Sequence, residues 1–304
     1  MVEVRKNVSH SEVESYLRCH RAHFYAYGLD IQAKYPGDAL QRGKAGHAIL
    51  ETGFKYLLET GDMDNLWNKM QEEYTNQINL DPELIMLLAD VIKPLRYFAE
   101  TWFPASGLEV LEVENNKVLD ISDTLGMRFI TDYTFRDRWG SILVLDAKFQ
   151  YDFFSDKHLR IVPQLPKYVA ARQIMQMPVN GVGYLEFRYR GRKDDAPSDR
   201  FKFTKVPLSA QRIQRTFTEQ VMVAEEIQRV KGQEFAEWHR TATRVFNTKT
   251  CESCQFFKLC DAELSEPHRA QEILDMDYVK RERREESGNG SEQVEPTPVD
   301  DAVA

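Results

Sequence analysis

Hydrophobic residues recur at helical spacing through the first hundred positions of the chain. A capping box that begins at Ser9, with apolar positions behind it, predicts a first helix that runs to about Tyr27. The next predicted helix has glycines at its start and His47 in its first turn. Two further helical patterns follow at 63–78 and 82–103, so the N-terminal region is expected to be rich in helix.

From Leu108 onward the spacing becomes strand-like and alternates with helical patterns. The clearest feature is a predicted hairpin, in which the apolar runs 129–135 and 141–149 flank a polar turn that contains glycine. A helix is predicted at 164–177, and a long amphipathic helix begins behind the N-cap Ser209. Other strands are predicted at about 110–119, 179–189 and 201–206, the last two as a hairpin.

The predicted central hairpin carries a group of charged side chains. Asp146 and Lys148 are two residues apart on one strand, so they point to the same face of the sheet. If Asp132 lies across from them, two carboxylates and one ammonium meet, which is costly unless a cation or an anionic substrate uses them. Such a trio suits Mg²⁺- or Mn²⁺-assisted hydrolysis of a phosphodiester. The alternative is a solvated surface hairpin, because Asp-x-Lys is a common tripeptide.

Two other stretches bear on nucleic-acid binding. Gln164 and Tyr168 are four residues apart on a predicted helix and share one face. The basic run 188–193 has Tyr189 interleaved and can contact phosphates, although a solvated loop is an equal alternative. The net charge of −8 neither supports nor excludes DNA, because much of it lies in an acidic tail at 285–304 that is expected to be disordered.

No stretch of the sequence indicates a membrane or secreted protein. The chain is 42% hydrophobic and 29% charged, which is ordinary for a soluble protein. No apolar run approaches the length of a membrane span, and the N-terminus lacks the apolar region of a secretory signal. We therefore expect a cytoplasmic protein with no membrane partner.

The cysteines predict a metal or cluster site. Cys251, Cys254 and Cys260 form a C-x₂-C-x₅-C segment, and Cys19 is the one remaining cysteine. In a cytoplasmic protein this density does not indicate a disulfide framework. Four thiolates suit zinc or a 4Fe–4S cluster, and the spacing does not separate the two. Either group would link the first helix to a segment near the other end of the chain.

Taken in order, these motifs resemble the RecB-type exonucleases of the PD-(D/E)xK superfamily, in the branch that has an iron–sulfur cluster. That branch includes CRISPR-associated RecB-like nucleases and the AddB-type nuclease domain. The matching features are the helix with Cys19, the G-x-x-x-H at Gly43–His47, Asp132, Asp146-Ala147-Lys148, the Q-x-x-x-Y at Gln164–Tyr168 and the cysteine triplet. The resemblance implies an α/β (α+β) fold with a restriction-endonuclease-like core sheet flanked by helices, an N-terminal helical region and a C-terminal Fe–S segment.

The resemblance also implies roles for individual residues. The implied Mg²⁺ or Mn²⁺ ligands are His47, Asp132, Asp146 and the carbonyl of Ala147. The implied catalytic set consists of Asp132, Asp146, Lys148 as the catalytic lysine, and Gln164 and Tyr168, which contact DNA or steady the site. The implied ligands of a structural 4Fe–4S cluster are Cys19, Cys251, Cys254 and Cys260. Either Glu112 or Glu114 is a candidate for a further upstream acid.

The function that the resemblance implies is a metal-dependent DNA exonuclease acting on single strands or duplex ends. Its implied partners are DNA and recombination, replication or CRISPR-related proteins. The expected organisation is a helical region at 1–107, a nuclease core at 108–245, an Fe–S segment at 246–270 and the tail at 285–304. Two alternatives stay open, a nuclease-fold DNA-binding module without required catalysis and a zinc-stapled protein of unrelated function.

Overall fold

The computed structural model describes residues 7–192 and 194–281 of the chain, which fold into strands and helices. The strands are β1 (Asn7–Ser9), β2 (Ile31–Ala33), β3 (Glu109–Asp120), β4 (Gly126–Arg136), β5 (Ile142–Gln150), β6 (Gly181–Arg188), β7 (Phe201–Lys205) and β8 (Tyr278–Lys280). The helices are α1 (His10–Arg18), α2 (His20–His23), α3 (Asp38–Thr60), α4 (Leu66–Leu80), α5 (Leu84–Leu88), α6 (Ile92–Tyr97), α7 (Phe103–Ser106), α8 (Asp156–Ile161), α9 (Gln164–Ile174), α10 (Ala210–Lys231), α11 (Phe235–Thr241), α12 (Thr248–Glu252), α13 (Phe257–Ser265) and α14 (Ala270–Asp277). The acidic tail predicted at 285–304 and Lys193 of the predicted basic run lie outside the described residues.

A mixed sheet of six strands lies at the centre, in the order β1–β4–β5–β6–β7, with β3 paired to β4. The predicted central hairpin is confirmed, because β4 and β5 are antiparallel and their pairing ends with Tyr133 opposite Leu145. The next residues, Asp132 and Asp146, therefore lie where the two strands part. β6 runs parallel to β5, and β7 is the antiparallel partner of β6 that the sequence predicts.

Helices cover both faces of this sheet, so the expected α/β architecture is confirmed. On one face Phe54 of α3 packs against Tyr133 and Phe135 of β4, with ring centroids 4.8 and 5.3 Å apart. On the other face α9 and α10 form a second hydrophobic cluster that includes Val144 of β5.

The first helix is shorter than predicted. The sequence predicts helix to about Tyr27, but α1 ends at Arg18 and Cys19 has an extended backbone, with φ −168° and ψ 117°. Beyond this break the amide of Arg21 donates to the carbonyl of Thr243 at 2.9 Å. The chain leaves the helical path where it meets the C-terminal region, and periodicity within 9–27 carries no signal for such a contact.

The other N-terminal helices also differ from the prediction in their limits. α3 begins at Asp38, so His47 lies in the interior of this helix and not in its first turn. Gly46 sits inside α3 because a Cβ there would come within 2.6 Å of the Phe149 ring, so the missing side chain lets the helix approach β5. The helix predicted at 82–103 is divided into α5, α6 and α7, with a π-helical turn at Phe98–Trp102.

A small second sheet joins the two ends of the described chain. β2 pairs antiparallel with β8, and Ala33 lies opposite Tyr278. Tyr25 and Phe256 pack in the hydrophobic cluster beside this sheet, with ring centroids 5.4 Å apart. The sequence does not predict this pairing, because its strands are only three residues long. Within the described ranges no helix is both long and apolar enough to cross a membrane.

Candidate active site

The separation of β4 and β5 exposes a backbone amide to a carboxylate. The amide of Ala147 on β5 donates a hydrogen bond of 3.0 Å to Oδ2 of Asp132 on β4. In a continued ladder this amide would bond to a backbone carbonyl of the neighbouring strand. The bond from the side chain therefore fixes Asp132 at the point where the strands part.

Asp146 and Lys148 face the same side of β5, as their spacing predicts. Lys148 Nζ lies 2.6 Å from Oδ2 of Asp146. The Asp146 side chain is only 2% exposed, whereas that of Lys148 is 29% exposed. The ammonium can therefore meet a ligand from solvent while the carboxylate beneath it is held in place.

Gln164 and Tyr168 also reach this group from the first turns of α9. Gln164 Nε2 donates to Oδ1 of Asp146 at 2.6 Å and lies 3.2 Å from the Tyr168 hydroxyl. Tyr168 is buried, and it is held between Gln164 and the aromatic ring of Phe129. The helical spacing of four residues thus places both side chains at the same carboxylate.

His47 approaches the site from α3. Its Nδ1 lies 3.6 Å from Oδ2 of Asp132, and its ring contacts Phe149 edge-on at 5.5 Å between centroids. The close approach allowed by Gly46 brings α3 near enough for this contact. The predicted site residues from α3, β4, β5 and α9 therefore meet at one place.

The electrostatics of the group reflect crowded buried charge. Burial raises the pKa of Asp132 well above its ordinary value, and the nearby Asp146 carboxylate raises it further. Burial alone would lower the pKa of Lys148, but the nearby carboxylates of Asp146, Asp132 and Glu14 together more than reverse that effect, and the pKa is raised. Two carboxylates this close favour a neighbouring cation, and Lys148 supplies one such charge.

Oxygen donors at this point suit a hard divalent cation such as Mg²⁺ or Mn²⁺. The chain offers the carboxylates of Asp132 and Asp146, and a cation between them would oppose the effects of burial and of the Asp146 charge that raise the pKa of Asp132. As they stand, these carboxylates engage the Ala147 amide and Lys148. Across 7–192 and 194–281, no three His, Cys, Asp or Glu side chains are grouped so that they could hold a metal ion.

The two upstream acids of β3 have different surroundings. Glu112 accepts hydrogen bonds from Thr134 at 2.6 Å and from Arg172 at 2.8 Å, so it belongs to a polar network behind the site. The charge of Glu114 acts on Asp132 and raises its pKa. Of the two, Glu114 is therefore the acid whose field reaches the carboxylates, and it lies at a left-handed backbone position with φ 48°.

The start of α1 lies beside the site, which the sequence analysis did not anticipate. The Lys148 ammonium lowers the pKa of both His10 and Glu14, although burial has the larger effect on His10 and the hydrogen bond from His10 has the larger effect on Glu14. His10 Nε2 and Glu14 Oε1 are 3.2 Å apart, one turn from each other. The capping box gives the start of the helix but carries no signal for its position over β5.

The cysteines meet at the junction of the N- and C-terminal regions. Burial raises the pKa of the Cys254 thiol, and the charges of Cys19, Cys260 and Cys251 each raise it as well. Arg244 Nε donates to Sγ of Cys260 at 3.2 Å. The thiols of Cys19, Cys251 and Cys260 therefore lie within electrostatic reach of Cys254, although within the described ranges the cysteines are not grouped closely enough to hold a metal ion as they stand.

Comparison with known proteins gives one family match. A model of the PD-(D/E)XK nuclease superfamily matches residues 7–261, which is most of the chain. Among solved structures, one titled "Crystal structure of SSO0001" is 16% identical and covers 87% of this chain and 90% of its own, with a TM-score of 0.37. That similarity is too low to add to the family match. No curated protein matches the sequence.

Proposed function

The chain belongs to the PD-(D/E)XK nuclease superfamily, and on this premise we propose that it is a metal-dependent DNA exonuclease. The observation that carries the proposal is the meeting of Asp132, Asp146 and Lys148 where β4 and β5 part. One buried and one partly buried carboxylate beside an accessible ammonium are costly to hold together and contribute little to the stability of the sheet. The same set suits the charge changes of phosphodiester hydrolysis.

The proposed metal ligands are Asp132, Asp146, His47 and the carbonyl of Ala147. The nearby oxygen and imidazole donors, together with the raised pKa of Asp132, support a cation of the Mg²⁺ or Mn²⁺ class. When bound, such an ion would act as a Lewis acid toward water and the scissile phosphate. Lys148 would stabilise negative charge on the phosphoryl oxygens, since its ammonium is the accessible cation of the group.

Gln164 and Tyr168 are proposed to hold Asp146 in orientation. Gln164 donates to the carboxylate oxygen that Lys148 does not pair with, so both oxygens are engaged. Support of this kind fixes the direction of ligand lone pairs and tunes the basicity of a ligand. The buried hydroxyl of Tyr168 lies within hydrogen-bond distance of Gln164 and limits its rotamers in turn.

We also propose that Cys19, Cys251, Cys254 and Cys260 bind a structural 4Fe–4S cluster. The support is that the pKa of the half-buried Cys254 thiol is raised by burial and, to a smaller extent, by the charges of Cys19, Cys260 and Cys251, which therefore lie near it. Cys19, Cys254 and Cys260 also pack against the same hydrophobic cluster. Zinc would use the same four sulfurs, and the colour of the purified protein separates a brown cluster from colourless zinc.

The proposed function is tested by digesting end-labelled linear DNA and covalently closed circular DNA in the presence of Mg²⁺ or Mn²⁺. An exonuclease releases the label from the linear DNA and leaves the closed circle intact. Cleavage of the circle would contradict the exonuclease assignment but would still agree with nuclease activity. The absence of any cleavage on single-stranded, blunt and tailed substrates with either ion would contradict the proposed function itself.

A further inference from the structure

Two tyrosines and two arginines form a continuous row beside the candidate active site. The Arg42 guanidinium lies 4.6 Å from the centroid of the Tyr189 ring. Tyr189 meets Tyr151 edge-on at 5.9 Å between centroids, and the Arg190 guanidinium lies 4.7 Å from the Tyr151 ring. We call these four side chains the Tyr151 row.

The row lies at the carboxyl edge of the two central parallel strands. Tyr151 directly follows β5, and Tyr189 directly follows β6. The Tyr189 amide donates to the carbonyl of Gln150 at 3.0 Å, so the two tyrosines are held side by side. Lys148 lies on β5 three residues before Tyr151, a separation of roughly 10 Å along the direction of the strand.

The outer part of the row is available to a ligand. Tyr151 is 53% exposed, and the Arg190 side chain is 48% exposed. The acidic partners of the two arginines are Asp38, 3.8 Å from Arg42, and Asp152, 3.6 Å from Arg190. Both carboxylates are more than half exposed, so these ion pairs are weak and a phosphate can replace them.

Arg188, in the same basic run as Arg190, has a structural role. It is buried, pairs with Asp195 at 2.8 Å and donates to the carbonyl of Asp199 at 3.0 Å. Arg190, two residues later, has an exposed aspartate and an exposed ring as its partners. The basic run predicted at 188–193 therefore divides into a buried arginine that holds the loop and an accessible one that faces solvent.

We propose that the Tyr151 row is a subsite for an unpaired DNA strand that leads to the carboxylates of the active site. Tyr151 would stack on a base, and Arg190 and Arg42 would contact the flanking phosphates. Aromatic side chains with interleaved cations bind single strands, because only unpaired bases offer their faces for stacking. This inference rests on the proposed nuclease function and adds the form of the substrate.

The test measures binding of fluorescent oligodeoxythymidylate and of a blunt hairpin duplex to protein that carries Asp146→Asn, so that neither probe is degraded. In this background Tyr151→Ala weakens single-strand binding about 5- to 100-fold, the range typical of a lost base stack, and leaves duplex binding unchanged. Tyr151→Phe keeps single-strand binding. Arg190→Gln lowers single-strand affinity and reduces its dependence on salt.

Trp139→Ala is the matched control. Trp139 is 76% exposed and has the Arg138 guanidinium 5.1 Å from its ring, so it has the same chemistry at the β4–β5 turn, the opposite end of β5 from Tyr151. This variant keeps wild-type affinity for both probes. Equal losses from Trp139→Ala and Tyr151→Ala would show general surface attraction and overturn the subsite.

The subsite and the proposed function fail in different ways. Single-strand binding that is unchanged in both Tyr151→Ala and Arg190→Gln overturns the subsite, whatever the wild-type protein cleaves. Equal loss of duplex and single-strand binding in those variants also overturns it, because stacking on unpaired bases would then not be the cause. Failure of the wild-type protein to cleave any DNA overturns the nuclease function, and the binding comparison with Asp146→Asn still decides the subsite.

Discussion

Gln164 Nε2 donates a hydrogen bond of 2.6 Å to Oδ1 of Asp146, the carboxylate oxygen opposite the one that Lys148 approaches. One partner comes from α9 and the other from β5 itself. The carboxylate is therefore clamped between a helix and a strand, at a place where it is 2% exposed. Its orientation depends on tertiary packing and not only on the strand that carries it.

Gln164→Leu should slow DNA cleavage about 10- to 100-fold, the usual effect of removing a side chain that orients a metal ligand. The fold should persist, because leucine fills a similar volume at the start of α9. The measurement is the initial cleavage rate as a function of Mg²⁺ concentration. Gln173→Leu, an exposed glutamine on the same helix, is the control and should cleave at the wild-type rate. Equal rates for all three proteins would show that Gln164 does not support Asp146.

Lys167→Met should stabilise the protein. Burial lowers the pKa of Lys167 to about 7, and its ammonium lies over the rings of Phe129 and Tyr168. Between about pH 7 and 10.5 the unfolded chain binds a proton that the folded protein does not, so wild-type stability rises with pH across this window. Methionine removes that penalty, which is roughly 3–5 kcal/mol near pH 7 as an upper bound.

Urea unfolding of Lys167→Met and of the wild-type protein at several pH values checks this expectation. The variant should be the more stable near pH 7, and the difference between the two proteins should shrink as the pH approaches 10.5. Parallel pH profiles would mean that Lys167 stays charged in the folded protein.

Lys231→Met should destabilise the contact between α1 and α10. Lys231 Nζ lies 2.6 Å from Oε1 of Glu12, and both side chains are at most 5% exposed. Removing Lys231 leaves the buried Glu12 carboxylate beside His23, 3.2 Å away, without a permanent cation to balance its charge, which costs about 3 kcal/mol or more. Arg215→Met breaks a pair on α10 that is mostly exposed and should change the free energy of unfolding by less than about 1 kcal/mol. Similar decreases in the free energy of unfolding for the two variants would contradict the conclusion that the buried Glu12 carboxylate depends on Lys231.

Cys19→Ser should lower iron content and melting temperature together. A cluster that binds only the folded chain adds its binding free energy to folding, and the proposed ligand Cys19 would join the end of α1 to the C-terminal cysteines. Iron per chain, visible absorbance and thermal unfolding are measured on protein prepared without oxygen. Ser253→Ala, an exposed position between Cys251 and Cys254, is the control and should keep wild-type values. Full iron and wild-type melting in Cys19→Ser would remove Cys19 from the ligand set, and stoichiometric zinc in place of iron would contradict the cluster.

The sequence predicts those parts of the site that depend on local spacing. Asp146 and Lys148 share a face because strand side chains alternate, and Gln164 and Tyr168 share one because helices repeat near four residues. The hairpin of β4 and β5 follows from two apolar runs around a turn. Each of these relationships is fixed within a short window of sequence.

Relationships between distant segments were not predictable in this way. The break of α1 at Cys19 accompanies a contact with Thr243, and the small β2–β8 sheet joins strands too short to show a pattern. The sequence predicts Gly46 at the start of a helix, yet it lies inside α3. Glycine is needed there because the Phe149 ring occupies the space that a side chain would fill. The basic run gives no sign that Arg188 is buried while Arg190 is exposed. Tertiary packing decides all of these.

The most direct test of the active site is the rate of Mg²⁺-dependent DNA cleavage by Asp146→Asn beside that of the wild-type protein. Asparagine keeps the shape of the side chain and removes its charge, so the melting temperature should change little. The cleavage rate should fall roughly 10²- to 10⁴-fold, as expected for the loss of several kcal/mol of transition-state stabilisation. A folded Asp146→Asn protein that cleaves DNA at the wild-type rate would contradict the assignment of the nuclease site to the point where β4 and β5 part.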